Sequence, residues 1–307
     1  MKPIWLMSLA GIGLGLMWFA IAHSSRSSSP SQPSPINSAP TPTPAAASLA
    51  RLEYKSYALP DSTVHTLTIP LHSRYEVTPA LSDTVETPAV IARREGAIAA
   101  LNGGFFDPEN QKSTAYIVLN GQQVADPTQN ERLMSNPDLA PYLDKILNRS
   151  EFRQYQCGDR RQYAIALHRA AIPTDCELIN ALGGGSRLLP AITVQEEGFV
   201  AYANGTISRD ALGSRQPNAR TAIGITRDHS ILWVMVAQKP KDAASGMTLQ
   251  ALADFMKTLG VEQAMNLDGG SSSSLYYDGK SAYGKVDEAG KPLIRPVKSV
   301  LLVKMKS

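Results

Sequence analysis

The spacing of hydrophobic and polar positions predicts a succession of short strands along most of the chain. Residues 64–70 alternate apolar and polar side chains, which is typical of a half-buried strand. Continuous apolar runs at 97–101, 221–226 and 231–237 predict buried strands, the last two joined as a hairpin. Asn-Gly at 120–121 separates two short strand-like runs and predicts a tight β-hairpin.

One segment has the spacing of an amphipathic helix. The apolar residues within 249–259 recur at i, i+3, i+4, i+7 and i+10, which places them on one helical face. Thr248 is suited to the N-cap and Gly260 to the C-terminal stop. A short strand at 261–267 should follow and carry Asp268 at its end.

The remaining segments complete the expected fold. Residues 163–168 and 297–303 are strand-like, whereas 126–161 is polar with weak periodicity and predicts a helical insertion or a long loop. Many strands with few helices predict an α+β domain built on a mixed β-sheet core, preceded by an N-terminal transmembrane or signal helix.

The first fifty residues differ in composition from the rest. Residues 4–22 form an uncharged apolar run long enough to span a membrane, and Ala-Ile-Ala at 20–22 also fits a signal-peptide cleavage site. We therefore expect 1–23 to be a signal peptide or membrane anchor, 24–50 a Ser/Pro-rich disordered linker and 51–307 the folded domain. Either leader predicts export to the periplasm or extracellular space, and an uncleaved helix would also contact the membrane.

Composition narrows the partners and the redox state. The formal net charge is only +3, and Lys2 and Arg26 of the leader contribute two of these charges, so nothing favours nucleic acid. Cys157 and Cys176 are the two cysteines, and an even pair in an exported chain predicts a disulfide, with two free buried thiols as the alternative. Too few Cys and His residues lie nearby for a zinc site.

The first candidate constellation is Asn-Gly-Gly-Phe-Phe-Asp at 102–107, directly after a strand. Glycines let backbone amides approach a ligand, and Asn102 offers donors and an acceptor for sugar hydroxyls. Asp107 adds a carboxylate. The alternative is a glycine turn with buried phenylalanines and an aspartate that stabilises the turn.

The second constellation is Asn-Leu-Asp-Gly-Gly followed by four serines, at 266–274. Asn266 and Asp268 alternate along a strand and should therefore point to the same side. The glycine and serine run supplies amide and hydroxyl donors for phosphate oxygens. A solvated turn before a hairpin is the alternative.

Two arginines are further candidates. Arg187 follows Gly-Gly-Gly-Ser at 183–186, and Arg220 stands at the start of an apolar strand. Arginine is the preferred bidentate partner of phosphate, although a surface charge or a structural ion pair explains either residue alone. A Ser-His-Asp hydrolase fits worse, because the chain has no Gly-x-Ser-x-Gly elbow.

Taken together, these motifs resemble those of the phosphodiester glycosidase family. They are Asn-Gly-Gly-Phe-Phe at 102–106, Gly-Gly-Gly at 183–185, Arg-Thr-Ala-Ile-Gly at 220–224, Gly-Met-Thr-Leu at 246–249 and Asn-Leu-Asp-Gly-Gly-Ser-Ser at 266–272. The resemblance runs from about residue 97 to the C-terminus. It implies hydrolysis of sugar-1-phosphodiester bonds in an envelope or extracellular glycan, and bacterial relatives are labelled exopolysaccharide-related proteins.

The chain departs from the family pattern at three places. Members carry Asp-Gly where this chain has Asp228-His229, a third glycine where it has Ser271, and Asp-Gly-Arg where it has Ala-Gln-Lys at 237–239. These positions line the expected pocket, and they bear on the identity of the substrate.

The site hypothesis follows from the motifs and the resemblance. Glycosidases generally use two carboxyl groups, and Asp268 and Asp107 are the candidate catalytic pair. The candidate substrate-binding residues are Asn102, Gly103, Gly104, Gly184, Arg187, Arg220, Asn266, Gly269, Gly270 and Ser271. The motifs indicate no specific cofactor, and a divalent cation, calcium or magnesium, is a candidate because oxygen ligands are plentiful. The alternative function is a non-catalytic phosphoglycan-binding module in exopolysaccharide assembly.

Overall fold

Antiparallel strands dominate the computed structural model, which describes residues 50–240 and 244–306. The strands are, in chain order, β1 (Glu53–Leu59), β2 (Ser62–Ile69), β3 (Tyr75–Glu86), β4 (Ala99–Asn102), β5 (Ile117–Leu119), β6 (Gln122–Ala125), β7 (Ser150–Cys157), β8 (Arg160–Leu167), β9 (Cys176–Gly183), β10 (Arg187–Leu189), β11 (Val200–Ala203), β12 (Thr206–Asp210), β13 (Arg220–Thr226), β14 (Ile231–Ala237), β15 (Val261–Asn266), β16 (Ser274–Tyr277), β17 (Lys280–Tyr283) and β18 (Val297–Met305). The α-helices are α1 (Pro88–Arg94), α2 (Glu131–Met134), α3 (Leu143–Ile146) and α4 (Leu249–Thr258).

Three larger sheets enclose a common hydrophobic core. The six-stranded sheet has the order β1-β2-β14-β13-β15-β10, and the two five-stranded sheets have the orders β17-β16-β4-β18-β3 and β6-β5-β9-β7-β8. Each contributes fully buried side chains to one cluster, such as Trp233, Leu301 and Leu182. Removing this apolar surface from water is the main favourable term in folding.

The two longer helices cover the outer faces of two sheets. Leu252 and Met256 of α4 are fully buried against the six-stranded sheet, and Ile91 of α1 packs on the sheet that contains β4 and β18. The predicted ends of α4 are confirmed, because the Thr248 hydroxyl accepts the Ala251 N–H at 3.1 Å and Gly260 follows with φ +79°.

The sheets correct one part of the predicted fold class. Strands are many and helices few, as expected for an α+β domain, but every pairing between the described strands is antiparallel rather than mixed. The reason lies in the crossover through α4. It joins β14 to β15, and β13 lies between these two strands, antiparallel to both. A parallel pair would need the two strands to be adjacent.

The polar region 126–161 is neither wholly helical nor a loop. It contains α2, α3 and then β7, a strand in which several polar residues are buried. Glu151 is 2% exposed and binds the Arg153 Nε at 2.9 Å and the His168 Nδ1 at 2.6 Å. Because Glu151 and Arg153 form an ion pair, both can be buried in β7. The sequence of this strand therefore shows no alternation of apolar and polar residues.

The predicted disulfide is present, and it joins Cys157 at the end of β7 to Cys176 at the start of β9. The described residues include no helix of the length and apolarity that a bilayer crossing requires. The leader and the linker fall outside the described residues, and the domain boundaries at 23 and 50 stay predictions.

Candidate functional site

The Asn102 side chain joins the two glycine-containing constellations. It is fully buried at the end of β4, and its Nδ2 donates to the Asp268 carbonyl oxygen at 2.7 Å. Its Oδ1 accepts from the Thr221 hydroxyl at 2.8 Å and from the Ser274 N–H at 3.0 Å. The Asp268 N–H in turn donates to the Gly103 carbonyl oxygen at 3.1 Å. The segments 102–104 and 266–274 therefore meet directly, although 166 positions separate Asn102 from Asp268.

Glycine is required where these segments pass one another. A Cβ atom added to Gly103 would lie 2.5 Å from the Ser299 Oγ, and one added to Gly104 would lie 2.1 Å from the Gly183 carbonyl oxygen. Any larger residue would push the backbones apart. The third glycine segment, 183–185, thereby joins the other two.

Asn266 fastens the 183–186 segment to the end of β15. Its N–H donates to the Ser186 carbonyl oxygen at 2.8 Å, and its Nδ2 donates to the Gly185 carbonyl oxygen at 3.1 Å. The residue is 1% exposed, and its Oδ1 has no partner among the described residues. Its side chain therefore positions a neighbouring loop, while one acceptor is left unused.

Asp268 is the carboxyl group at the centre of this junction. It is half-buried, and its Oδ1 accepts the Gly269 N–H at 2.9 Å. Burial raises the pKa of Asp268 from 3.8 to about 6, against the opposing effects of the Ser272 hydroxyl, the Arg295 charge and the Gly269 N–H. The group thus changes charge slightly below neutral pH, which suits proton transfer or nucleophilic attack.

Arg295 is the main residue of this junction that the sequence interpretation missed. Its Nη1 lies 3.2 Å from the Ser271 Oγ, and its guanidinium stands 5.5 Å from the centre of the Phe106 ring. It is half-buried, and it lowers the pKa of Asp268 through its charge. An arginine beside a half-buried carboxyl and a serine hydroxyl forms a binding position for an anionic group.

Gly269 and Gly270 hold the loop after Asp268 close to the start of β13. The Gly270 N–H donates to the Ala219 carbonyl oxygen at 2.9 Å. A Cβ atom on Gly269 would lie 3.2 Å from that same oxygen, and Gly270 has φ +59°. Both positions thus fix the direction in which Ser271 and Ser272 leave the strand.

Arg220 is buried nearby, but its guanidinium is engaged by backbone carbonyls. It donates to the carbonyl oxygens of Leu212, Gly213, Gln216 and Met247 at 2.7–3.0 Å. Burial lowers its pKa to about 10. This side chain holds the loop 212–216 in place, and its expected contact with phosphate stays a prediction.

In Arg187 the backbone, rather than the guanidinium, makes the hydrogen bonds to the described residues. Its backbone N–H donates to the Glu197 Oε1 at 2.8 Å, and that buried carboxylate also accepts the Ser150 N–H at 2.8 Å. The half-buried Arg187 guanidinium makes no hydrogen bond or ion pair with any residue in 50–240 or 244–306, and its Nε is buried. It therefore remains a candidate for binding an anion.

Asp107 has partners of its own. Its Oδ2 accepts the Arg132 Nε at 2.8 Å, and its Oδ1 accepts the Glu109 N–H at 2.9 Å, as in an aspartate-stabilised turn. None of these groups contacts Asp268. The pairing of Asp107 with Asp268 in catalysis stays a prediction.

The site therefore consists of Asp268, Ser271, Ser272 and Arg295, held by Asn102, Asn266 and the glycines at 103, 104, 184, 269 and 270. Within the described ranges, no three Cys, His, Asp or Glu side chains form a cluster that could hold a metal ion. A bound calcium or magnesium ion stays a prediction from the sequence.

Comparison with known proteins agrees with the motifs. The family model of phosphodiester glycosidases matches residues 95–304. No curated protein matches the chain. The catalytic domain of zebrafish N-acetylglucosamine-1-phosphodiester alpha-N-acetylglucosaminidase, auto-inhibited by its pro-peptide, is a structural neighbour with TM-score 0.58 and 17% identity, covering 82% of each chain.

Two bacterial structures share the fold. A hypothetical protein from Synechocystis has TM-score 0.53 and 16% identity over 82% of this chain, which spans only 61% of that protein's length. A protein of Burkholderia pseudomallei K96243, described as exported, has TM-score 0.52 and 16% identity over 79% of this chain and 74% of its own. At these identities the likeness concerns the fold alone.

Proposed function

Because the chain belongs to the phosphodiester glycosidase family, whose model covers residues 95–304, we propose that it hydrolyses sugar-1-phosphodiester bonds. The zebrafish neighbour is named for N-acetylglucosamine-1-phosphodiester, and this compound is the first substrate to test. The predicted leader supports an exported glycan of the envelope or extracellular space as the natural substrate, and the disulfide Cys157–Cys176 is consistent with an oxidising compartment.

The observation that carries this proposal is the position of Asp268 beside Arg295. A carboxyl group with a pKa of about 6 and a guanidinium share one junction, and Ser271 contacts the guanidinium. Cleavage of a phosphodiester-linked sugar needs a group that acts at the anomeric carbon and a cation that stabilises the departing phosphate. At this junction Asp268 is the candidate for the first group, and Arg295 is the candidate for the cation.

In the proposed reaction, the ionised Asp268 acts at the anomeric carbon, either as the nucleophile or as the base that takes a proton from water. The bond between that carbon and the phosphate oxygen breaks, and the phosphomonoester leaves with the electron pair. Arg295 and the Ser271 hydroxyl stabilise its negative charge. In the overall reaction water supplies the hydroxyl of the free sugar and a proton. A phosphate leaving group needs little protonation, so this reaction does not depend on a strong general acid.

The test is the appearance of free sugar and a phosphomonoester when the full chain is incubated with N-acetylglucosamine 1-(methyl phosphate). We expect Asp268→Asn to lower turnover by at least about a hundredfold. Asp278→Asn, in the exposed turn between β16 and β17, is the matched control and should leave turnover unchanged. Full activity of the Asp268→Asn chain contradicts the assignment. Parallel assays with EDTA, calcium and magnesium test the predicted cation.

The second candidate is a phosphoglycan-binding module without catalysis. It is favoured by one observation, namely that Asp107 is paired with Arg132 and shares no contact with Asp268. A binding module needs the glycine segments and the arginines but no pair of carboxyl groups. Saturable binding of the phosphodiester without product, with and without added cations, would decide for this function.

A further inference from the structure

A cavity lies at the opposite end of the strands that form the candidate site. Its volume is about 820 Å³, and it is bounded by the β2–β3 connection, the β7–β8 hairpin, the β13–β14 turn and the C-terminal end of β18. We call it the hairpin cavity. β13 runs from Arg220 at the site to Thr226 near this cavity, and seven residues of strand span roughly 20 Å. The two places are thus separate.

Cations outnumber anions around the hairpin cavity. Arg160, Arg161 and Lys306 line it, and among the described residues Asp159 is the one lining carboxylate. Arg161 is paired with Glu76, whereas the exposed Arg160 side chain makes no ion pair or hydrogen bond within the described ranges. An anion in the cavity would therefore meet at least one guanidinium that is not neutralised.

Lys306 adds a second cation. Its ammonium donates to the carbonyl oxygens of Ser73 at 2.7 Å and Leu71 at 3.4 Å and contacts no carboxylate of residues 50–240 or 244–306. Burial, followed by the nearby charge of Arg161, lowers its pKa. A bound anion would offset both effects.

The rest of the lining suits a sugar ring. Gln162 is exposed at the rim, and Gln263 uses its Oε1 for the Ile165 N–H at 3.1 Å, while its amide group donates to no described residue. Pro70 and Leu71, which are half-buried, provide apolar surface. Such a combination of an apolar wall with a few amide groups and guanidinium donors fits the C–H face, the hydroxyls and the charged group of an acidic sugar.

The cavity is also rigid on one side. The β7–β8 turn that carries Asp159 directly follows Cys157, which pairs with Arg160 across the hairpin and is joined to Cys176 by the disulfide. Restraint of the backbone that carries Arg160 lowers the entropic cost of binding. We propose that the hairpin cavity is a second, non-catalytic site that binds an anionic saccharide, so that a long acidic glycan is held at a distance from the site around Asp268.

The test measures binding of a hexaglucuronate by calorimetry, using the full chain with Asp268→Asn as the background. We expect saturable binding that the double change Arg160→Gln and Gln162→Ala weakens by about tenfold or more, because a charge-assisted hydrogen bond and an amide contact are lost. Both residues are exposed, so the fold should persist. Arg169→Gln, another exposed arginine that pairs with Asp144 outside the cavity, is the matched control and should not change the affinity.

Three results would overturn the proposal. They are unchanged hexaglucuronate affinity in the double variant, equal binding of a neutral glucose hexamer, and equal binding of inorganic phosphate alone. Inorganic phosphate would indicate a simple anion site rather than a saccharide site. Monomeric glucuronic acid is measured in the same way. A site for a long glycan should bind the hexamer more tightly than the monomer, and equal affinities would also contradict the proposal. Failure of the hydrolysis assay leaves this test unaffected, since the background chain lacks the Asp268 carboxylate.

Discussion

The Asn102 carboxamide donates a hydrogen bond of 2.7 Å to the backbone oxygen of Asp268, and in this way a residue of β4 fixes the backbone of the candidate catalytic carboxyl. The same carboxamide accepts hydrogen bonds from Thr221 and Ser274. With three partners and no exposure, Asn102 holds the site together, and its direct contact with a sugar stays a prediction. Stability measurements distinguish a structural role of Asn102 from a role in binding sugar.

We expect Asn102→Ala to lower the free energy of unfolding by about 3 kcal/mol, because it leaves the buried Ser274 N–H and the Asp268 carbonyl without partners. Urea unfolding followed by circular dichroism measures this change. Asn136→Ala is the control, since among the described residues its Oδ1 accepts just the local Asp138 N–H, and it should cost less than about 1 kcal/mol. Equal stability of the two variants contradicts the connecting role of Asn102.

We expect Arg220→Lys to destabilise the chain by about 2–4 kcal/mol, because an ammonium cannot reproduce the four carbonyl contacts of the guanidinium. Thermal and urea unfolding provide the measurement. Arg215→Lys lies in the same loop, where Arg215 makes one exposed hydrogen bond to the Tyr202 hydroxyl, and it should change little. If Arg220→Lys keeps full stability but loses affinity for the phosphodiester, Arg220 binds substrate instead.

The ionisation of Asp268 should make the stability of the chain depend on pH. Its folded-state pKa of about 6 lies above the ordinary 3.8, so the folded chain holds this proton more tightly than the unfolded chain. The stabilising contribution is present below about pH 4 and is lost as the pH rises through 6. Asp268→Asn should therefore gain stability relative to the wild type between pH 4 and 7, by about 1–3 kcal/mol.

Unfolding by urea at a series of pH values gives this difference directly. Asp278→Asn serves as the control, because its side chain lies in an exposed turn, and its difference from the wild type should not vary in the same way. A constant difference between Asp268→Asn and the wild type from pH 4 to 7 would show that the carboxyl is not desolvated.

Arg295 should influence how kcat/KM rises with pH on the acidic side (the acid limb) of the pH profile. If the ionised Asp268 is the reactive form, kcat/KM should rise through a pKa near 6. Arg295→Gln removes a charge that lowers this pKa, so the limb should move upward by about half a unit or more, and turnover should fall by at least about tenfold. Arg132→Gln, which removes the partner of Asp107, tests whether that second carboxyl contributes to the same profile.

An unshifted limb in Arg295→Gln would show that the two groups are not coupled. A limb that moves as much in Arg132→Gln as in Arg295→Gln would instead indicate that Asp107 and Asp268 titrate together. Arg295→Lys adds a further comparison, because it keeps the charge but loses the planar arrangement of donors. In this variant the pKa of the kcat/KM profile should return close to the wild-type value, whereas the affinity for the phosphodiester should stay reduced.

Local signals in the sequence were sufficient for several elements. Thr248 and Gly260 mark the ends of α4, and the Asn-Gly pair at 120–121 has φ of 50° and 76°, as a tight hairpin requires. These features depend on neighbouring residues only. β7 was not predicted, because Glu151 and Arg153 satisfy each other in a buried position and so remove the alternation that identifies a strand.

The site was only partly accessible to sequence reasoning. The meeting of the segments 102–104 and 266–270 was expected, because close backbone approach and a carboxyl at a strand end leave recognisable patterns, whereas the roles of these residues in binding and catalysis stay predictions. Arg295 was not found, since it stands alone before Pro296 and only the pairing of β18 with β4 brings it near Ser271. Nor does the sequence tell whether Arg220 faces a ligand or backbone carbonyls, because that depends on the path of loop 212–216.

The position of β18 in its sheet has a consequence for the order of folding. This strand lies between β4 and β3, so it completes the middle of the sheet rather than its edge. Until residues 297–305 insert between β3 and β4, the Gly103 N–H lacks the Ser299 carbonyl oxygen that it binds at 2.8 Å. Because this pairing joins residues far apart in sequence, the junction around Asn102 should be among the later parts of the domain to form.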